Sequence, residues 1–347
     1  MQDPETVHDR MIKVGKILGN FALSRKMTSV LFDYENPMLE QTVLGMKFKN
    51  PIGLAAGFDK NAEIVNILSS VGFGFTEVGS ITGYPCVGNA KPRLWRLPKS
   101  KGLVVNYGLK NDGADVIAKR LQNRKFENII GTSVAMTNCE ANLDTENAIM
   151  DYAKAFTSLT NIGDYFTINI SCPNALGGQP FVAPEKLDKL LTTIDTIQTE
   201  KPIFIKLSPD IEMTEIDKIL EIVGKHTVHG IICTNLTKPR NNSKIIDNNV
   251  PEKGGVSGKP VQDLSDKLLA HIYKKTKERY VLIGLGGIFC AQDAYKKIRL
   301  GASFVQLATG MIFEGPQLIG EINRGLVESL RKDGFKNITE AIGIDSK

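Results

Sequence analysis

The feature that most constrains this fold is an eightfold alternation of short β-rich runs with amphipathic stretches. Helical spacing of apolar residues marks the intervening stretches, as in EMTEIDKILEIVGKH. The predicted strands cover residues 51–56, 75–80, 128–136, 165–171, 203–208, 230–235, 281–287 and 304–309. Eight such units predict an α/β fold, a single (β/α)8 TIM barrel with functional residues at the carboxyl ends of its strands. A doubly wound open sheet is the alternative, and the count of eight disfavours it.

Two insertions interrupt the alternation. After the second strand, residues 93–113 contain two short apolar runs around a Lys/Gly turn, which predicts a small hairpin over the barrel mouth. After the sixth strand, residues 238–260 are polar and glycine-rich. That composition is typical of a lid or a binding loop rather than of a helix.

Ahead of the barrel, residues 3–31 predict a helical extension that Gly19 and Asn20 divide in two. Asp3 suits the helix cap and Pro4 the first helical position. An apolar stripe with basic borders follows, formed by Val7, Met11, Val14, Leu18 and Phe21 beside Arg10, Lys13 and Lys16. The stripe fits a helix pair packed on the barrel bottom or on a neighbour, or one that lies on a membrane surface or lines the entry of an apolar substrate. The expected domains are this extension, 1–38, and the barrel, 39–347.

Composition excludes several classes of protein. The 43 basic residues barely exceed the 38 acidic ones, and no basic stripe carries aromatic residues, so a nucleic-acid partner is not expected. Five scattered cysteines without C-x-x-C spacing indicate reduced thiols in a cytosol-like compartment, with no disulfide, metal or iron–sulfur site. The acidic start MQDPE does not fit a signal peptide, and no apolar run approaches the ~18 residues of a membrane span.

The stretch NISCPNALGG places a thiol, Cys172, at the carboxyl end of a predicted strand, because Pro173 cannot continue a hydrogen-bonded ladder. A structural thiol is the alternative, since free cysteine is commonly buried. The usual cysteine nucleophile needs a histidine, but the four histidines, His8 among them, lie on predicted helices or their edges. Cys172 is therefore a candidate general base, tuned by local donors and positive charge.

Two lysines can supply that charge. Lys60 follows the first strand, where a solvated loop charge is the alternative, and Lys206 lies within the fifth strand, where an unpaired ammonium is costly. A Schiff base formed by Lys206, or its contact with the N1/O2 edge of a reduced flavin, would each explain a lysine at this buried position. The glycine motifs GLGGI (284–288) and ATG (308–310) end the last two strands, where barrels frequently bind phosphate through backbone N–H groups.

Together these motifs resemble the dihydroorotate dehydrogenase family. The matching segments span about residues 40–325 and are NPIGLAAGFDKN, GFTEVGSIT, NAKPRLWRLP, INISCPN, FIKLSPD, CTN, GGVSGKP, IGLGGI and VQLATGMIFEGP. The amino-terminal DPETVHDRM is similar to the extension of the membrane-associated, quinone-using class. The resemblance implies an FMN-dependent enzyme of pyrimidine (UMP) biosynthesis that oxidises dihydroorotate to orotate.

The resemblance also implies roles for single residues. Cys172 occupies the position of the family's base, which removes the C5 proton while hydride passes from C6 to flavin N5. The implied FMN-binding residues are Ala56, Gly57, Lys60, Ser80, Ser133, Asn169, Lys206, Thr234, Gly258, Gly287, Ala308 and Thr309. The implied substrate-binding residues are Lys60, Asn106, Asn169, Asn174 and Asn235. The glycines after Cys172 would give a loop that closes over the ligand.

Several positions depart from the pattern of the quinone-using class. That class usually has serine at the base position and tyrosine at Ala308, although Arg96 matches an arginine near its quinone channel. Further departures are Val105 and Ser133 in place of asparagines, and Leu236 in place of serine or threonine. We expect a cytoplasmic protein that associates peripherally with the inner face of the membrane through its amino-terminal helices and reduces a quinone. Fumarate or another soluble acceptor is the alternative.

The sequence leaves two further alternative functions open. A Schiff-base aldolase-type barrel could use Lys60 or Lys206 with a sugar phosphate at GLGG. A flavin-binding protein without turnover would explain the altered Val105 and Ser133.

Overall fold

The computed structural model describes residues 2–346. In chain order its strands are β1 (Gln41–Val43), β2 (Met46–Phe48), β3 (Ile52–Leu54), β4 (Phe75–Ile81), β5 (Leu94–Leu97), β6 (Gly102–Val105), β7 (Ile129–Val134), β8 (Tyr165–Asn169), β9 (Ile203–Leu207), β10 (Gly230–Cys233), β11 (Gly255–Gly258), β12 (Val281–Leu285) and β13 (Phe304–Leu307). Its α-helices are α1 (Pro4–Asn20), α2 (Ala22–Phe32), α3 (Val65–Leu68), α4 (Ala114–Leu121), α5 (Thr145–Ser158), α6 (Pro184–Asp195), α7 (Met213–Val223), α8 (Gln262–Thr276), α9 (Ala291–Arg299), α10 (Thr309–Glu314) and α11 (Leu318–Asp333).

Eight of these strands close into a parallel barrel, in the cyclic order β3, β4, β7, β8, β9, β10, β12, β13. They are the eight runs predicted from the sequence, so the TIM barrel is confirmed and the open doubly wound sheet is wrong. Their burial is nearly complete because helices cover the outside and side chains fill the inside. The register pairs Asn169 of β8 with Lys206 of β9, which places these two residues at the same height near the carboxyl ends.

The amino-terminal end of the barrel is closed by an aromatic plug. The hairpin β1–β2 crosses this end and inserts Phe48, whose ring centroid lies 5.7 Å from that of Phe75 and 4.3 Å from that of Phe304. Tyr165 and Phe204 complete the plug, with their ring centroids 5.2 Å apart. All five side chains are buried. Rings packed edge to face gain quadrupole attraction in addition to their burial.

Over the opposite end, which is the mouth, the insertions form a three-stranded antiparallel sheet. Strands β5 and β6 make the predicted hairpin, and β11 pairs with the other edge of β6. Part of the polar 238–260 segment is therefore strand rather than loop. The sequence of residues 93–113 predicts only the two strands of the hairpin. It does not show that a segment distant in the chain adds a third strand.

The amino-terminal extension forms two helices that break at Phe21. Asp3 caps α1 by accepting a hydrogen bond from the backbone N–H of Thr6 at 2.8 Å, and Pro4 begins the helix. Helix α1 packs on α3 and on β5, whereas none of the α2 residues 22–32 is buried. Within residues 2–346, no helix combines the length and the apolar character needed to cross a bilayer.

Candidate active site

A cavity opens at the mouth, where the carboxyl ends of the barrel strands meet the three-stranded sheet and α1. The sequence-predicted residues that line it are Ala56, Gly57, Lys60, Ser80, Asn169, Cys172, Asn174, Lys206, Thr234, Asn235, Gly258, Gly287, Ala308 and Thr309. Most of the predicted set is thus brought together from distant parts of the chain. A cavity with this apolar and polar lining is suited to a planar heteroaromatic ligand with an anionic tail.

Two predicted residues lie behind the cavity wall rather than in it. The hydroxyl of Ser133 is 2.8 Å from that of Ser80, so Ser133 supports a lining residue. The Asn106 side chain turns away and accepts a hydrogen bond from Nδ2 of Asn89 at 3.1 Å. Neither residue reaches the cavity surface in this conformation.

Cys172 lies three residues after the end of β8, on the loop that continues to Gly178. The Tyr152 hydroxyl donates to the backbone carbonyl of Asn169 at 2.8 Å and so fixes the strand end from behind. Burial raises the pKa of the Cys172 thiol. The backbone N–H groups of Asn174 and Ala175, together with the charge of Lys206, oppose that rise. The site therefore contains a half-buried thiol whose thiolate form has local donors and a nearby positive charge.

A hydrogen-bonded group of polar side chains lies beside the thiol. Asn169 donates from Nδ2 to the Ser80 hydroxyl at 2.8 Å and accepts from the Ser171 hydroxyl at 2.8 Å. Asn235 donates from Nδ2 to the backbone carbonyl of Ser171 at 3.0 Å. These contacts hold both amides in fixed orientations at the cavity wall, as ligand recognition requires.

Lys206 presents a buried ammonium to the cavity. Burial lowers the pKa of Lys206, while the charges of Glu77 and Cys172 oppose that change. None of the ion pairs found in residues 2–346 involves this lysine, so its charge is available to a ligand. Glu77 is buried within the barrel, where its Oε2 accepts hydrogen bonds from Thr167 and Gln306, each at 3.0 Å.

Lys60 also lines the cavity. Its Nζ lies 4.0 Å from the centroid of the Tyr107 ring, a cation–π contact that orients the side chain. Burial, and next the charge of Lys110, lower the pKa of Lys60 to about 8. The preceding Asp59 is buried, accepts hydrogen bonds from the N–H groups of residues 63 and 64, and shapes the loop that carries Lys60.

The far end of the cavity is bordered by backbone rather than by large side chains. Gly286 and Gly287 have φ angles of +128° and +73°, and Gly258 has +86°. A Cβ atom at Gly287 would collide with Gln262, which confines this tight turn to glycine. The hydroxyls of Ser257 and Thr309 are 2.8 Å apart and join β11 to the start of α10. Exposed backbone at the ends of the last two strands is suited to an anionic group.

Sequence reasoning allowed the extension to line the entry of an apolar substrate but missed His8 of α1 as a residue of the wall. His8 lines the cavity, and its Nε2 is 2.9 Å from the backbone carbonyl of Phe58. Its ring packs edge to face with that of Phe58, with the centroids 5.3 Å apart, and burial lowers the pKa of His8. The expectation that the histidines lie on predicted helices or their edges holds for His8, but this helix is part of the site. The sequence signal that could have identified His8 is the DPETVHDRM motif, which contains it.

Three positions that depart from the quinone-using pattern, Val105, Leu236 and Ala308, also line the cavity. Arg96 does not line it; its guanidinium donates to the backbone carbonyl of Gln2 at 2.9 Å near the protein surface. The lining of the mouth is therefore more apolar at these positions than the family pattern implies.

Comparison with known proteins agrees with this geometry. Residues 38–330 match the family model described as dihydroorotate dehydrogenase. The dihydroorotate dehydrogenase (quinone) of Gloeobacter violaceus is 36% identical over 342 residues, which are 98% of this chain and 95% of that protein. The protein of the same name from Natronomonas pharaonis is 38% identical over 346 residues, covering 99% of this chain and 96% of the relative.

Solved structures show the same likeness in three dimensions. The crystal structure of DHODH from Eimeria tenella in complex with ferulenol superposes with a TM-score of 0.89 at 29% identity, covering 100% of this chain and 96% of that chain. The ligand-free structure from the same organism also gives a TM-score of 0.89, at 31% identity, with coverage of 99% and 100%. The similarity includes the amino-terminal helices as well as the barrel.

Proposed function

The chain belongs to the dihydroorotate dehydrogenase family, and we propose that it oxidises dihydroorotate to orotate for pyrimidine (UMP) synthesis, with FMN as cofactor and a quinone as electron acceptor. The observation that carries this proposal is that the Cys172 thiol and the Lys206 ammonium line one cavity bordered by the Gly286–Gly287 turn. As functional units we propose the extension, residues 1–38, and the FMN-binding barrel, residues 39–347.

The residues at the mouth fit FMN. Lys206 has a buried charge suited to the N1/O2 edge of a reduced flavin, and Ser80, Asn169 and Thr234 offer polar groups to the ring. The phosphate would be held by the backbone around Gly287 and Thr309, where large side chains are excluded. When bound, FMN supplies the acceptor for the two electrons and the hydrogen that leave C6 of dihydroorotate.

Dihydroorotate would lie between Cys172 and the flavin site. Lys60 would pair with its carboxylate, while Asn169 and Asn235 would meet the polar edge of the pyrimidine ring. Asn174 donates from Nδ2 to the backbone carbonyl of Val105 at 2.8 Å, which leaves its Oδ1 to accept a pyrimidine N–H. Asn106 would contact the substrate only after its hydrogen bond with Asn89 breaks.

Cys172 would act as the general base. Its thiolate removes the C5 proton of the substrate, and the N–H groups of Asn174 and Ala175 with the Lys206 charge stabilise that thiolate before the transfer. Because burial raises the pKa of this thiol, only a minority of molecules hold the base in its active form at neutral pH. The reductive half-reaction should therefore accelerate as the pH rises above neutrality.

The exposed faces of α1 and α2 support a quinone acceptor taken from a membrane surface. Nine apolar side chains on these helices and at the break between them are exposed: Met11, Val14, Ile17, Leu18, Phe21, Leu23, Met27, Val30 and Leu31. Lys26 lies exposed among them and would meet anionic headgroups. We propose that the protein is cytoplasmic and associates peripherally with the inner face of the membrane through these helices, with a quinone approaching the cavity beside His8.

The proposal is tested first on the purified protein. We expect a yellow protein with FMN identified by mass spectrometry, whose flavin absorbance bleaches on anaerobic addition of dihydroorotate. Absence of FMN would overturn the proposal. Borohydride trapping of a substrate on Lys60 or Lys206 in a colourless protein would instead establish an aldolase-type barrel.

An acceptor screen tests the second half-reaction. Ubiquinone and menaquinone analogues should reoxidise the reduced enzyme, and vesicles containing anionic lipid should retain the protein. Turnover with fumarate but with neither quinone would assign the soluble acceptor that Cys172 and Ala308 suggest. Loss of vesicle binding in the double variant Val30→Ser and Leu31→Ser, with unchanged reduction by dihydroorotate, would identify α2 as the membrane contact.

A further inference from the structure

Glu5 of α1 forms a buried ion pair with Arg93, the residue just before β5. Both side chains are buried, and the carboxylate accepts from Nη2 at 2.8 Å and from Nε at 3.1 Å. Burial opposes ionisation, but these hydrogen bonds and the charges of Arg93, Lys91 and Lys110 outweigh it and lower the pKa of Glu5 to about 2. The pair is therefore charged at any ordinary pH and fixes α1 to the mouth of the barrel.

The guanidinium of Arg93 also holds the segment that precedes it. Its Nη1 donates to the backbone carbonyls of Val87 and Asn89, each at 2.8 Å. The ring of Tyr107 lies 5.3 Å from the guanidinium carbon, and the Asn89 backbone N–H donates to the Tyr107 carbonyl at 2.9 Å. The position of Asn89 is thus set by the residue that pairs with α1.

The side chain of Asn89 in turn binds the loop that carries the base, which we define as the Cys172 loop, residues 172–178. Its Nδ2 donates to the backbone carbonyl of Asn174 at 3.0 Å. Its Oδ1 accepts from Nδ2 of Asn138 at 3.0 Å, and Oδ1 of Asn138 accepts from the backbone N–H of Leu176 at 2.7 Å. Two points of the loop, one on each side of Ala175, are therefore connected to the Asn89 amide, although Asn138 also donates to the backbone carbonyl of Gly108 at 3.3 Å.

We propose that Asn89 is a positioning residue for the Cys172 loop, and that the Glu5–Arg93 ion pair makes the order of this loop depend on the docking of α1. The helix that would meet the quinone then also sets the geometry of proton transfer at Cys172. The functional meaning of this connection rests on the proposed function, whereas the connection itself is made of contacts within the chain. Geometry matters here because small displacements of a catalytic group cost large factors in rate.

Hydrogen–deuterium exchange of the FMN-loaded protein tests the connection directly. Glu5→Gln should accelerate exchange both in α1 and at the amides of residues 175–178, the latter by at least tenfold. Asn89→Ala should accelerate exchange at the same loop amides by an equal factor while α1 stays protected from exchange. The reason is that this substitution leaves the Glu5–Arg93 ion pair, which holds α1, intact. The matched control is Lys16→Gln, which removes an exposed α1 contact with Glu63 at 3.2 Å and should change loop exchange by less than twofold.

Stopped-flow kinetics gives the second readout. In both variants, reduction of the bound flavin by dihydroorotate should slow at least tenfold, and in Asn89→Ala reoxidation by a quinone analogue should stay near the wild-type rate. The proposal is overturned if α1 of Glu5→Gln exchanges faster with the loop unchanged, or if Asn89→Ala loses its flavin. If wild-type protein is not reduced by dihydroorotate, the proposed function fails, while the exchange data still decide the connection.

Discussion

At its amino-terminal end the barrel interior is filled by five aromatic rings, whereas at its carboxyl-terminal end it opens into a cavity with lysines, asparagines and glycines in its wall. The plug gains stability from burial and ring packing, and its one polar side-chain group, the Tyr165 hydroxyl, donates to Oε2 of Glu77 at 3.2 Å. The mouth contains the buried charges of Lys206 and Glu5 and a half-buried thiol, each of which costs free energy unless it has a partner. Stability and chemistry are therefore concentrated at opposite ends of one barrel.

This difference shows how one barrel can contain a site whose buried charges cost free energy of folding. The closed end sets the strand positions through contacts that need no ligand. The open end can then leave the Lys206 ammonium without an ion-pair partner among the described residues, ready for an anionic ligand. Substitutions at the two ends should accordingly affect different measurements.

The largest expected effect is on catalysis at the mouth. Cys172→Ala should retain FMN and lose ~10²–10⁴ in the rate of flavin reduction by dihydroorotate, as removal of a general base commonly does. Stopped-flow absorbance measures this rate, with Cys290→Ala, at an exposed cysteine, as the control. Cys172→Ser should keep slow activity that rises at higher pH, since an alcohol is a weaker acid. Near-normal reduction in Cys172→Ala would remove the thiol from its role.

The next effect concerns the plug. Phe75→Ala should lower the free energy of unfolding by about 3–5 kcal/mol, because a fully buried ring is replaced by a cavity between Phe48 and Phe304. Phe58→Ala, at the partly exposed cavity wall, should cost less than half of that. Denaturant unfolding measures both values. Equal losses for the two variants would contradict the division between a stabilising end and a functional end.

A smaller, pH-dependent effect concerns Lys60. Because its pKa is lowered to about 8, its ammonium is present below that pH and is lost above it. The Kd of orotate, measured from the flavin spectrum, should rise by roughly tenfold per pH unit above about 8. A Kd that stays flat up to pH 10 would exclude Lys60 as the partner of the ligand carboxylate. Lys60→Met should bind orotate weakly at every pH.

The smallest effect concerns the α1 contact in acid. The folded-state pKa of Glu5, about 2, lies below its ordinary 4.5, so its stabilisation is present above about pH 4.5 and is lost as the pH falls through about 2. The single tryptophan, Trp95, lies on β5, the strand on which α1 packs, and its fluorescence should report local opening there. We expect a transition below pH 4 in wild type that is absent in Glu5→Gln. An identical acid transition in both proteins would rule out Glu5 as its cause.

Much of the fold could be predicted because its signals are local. All eight barrel strands were placed within a few residues, and the break between α1 and α2 was expected at Gly19–Asn20, one residue before Phe21. The helix after the first strand, α3, has only four residues. The hairpin β1–β2 was missed because three-residue strands are too short to show a period.

The sequence by itself determined the barrel, the strand end that carries Cys172 and the glycine turns of the mouth. Periodicity, proline and glycine act within a few residues, so they can be recognised without a partner. Only the tertiary structure decided that Glu5 meets Arg93 across 88 residues, that Asn89 supports the Cys172 loop and that Asn106 turns away from the cavity. Such contacts depend on side chains brought together by packing, and no local pattern in a single chain specifies them.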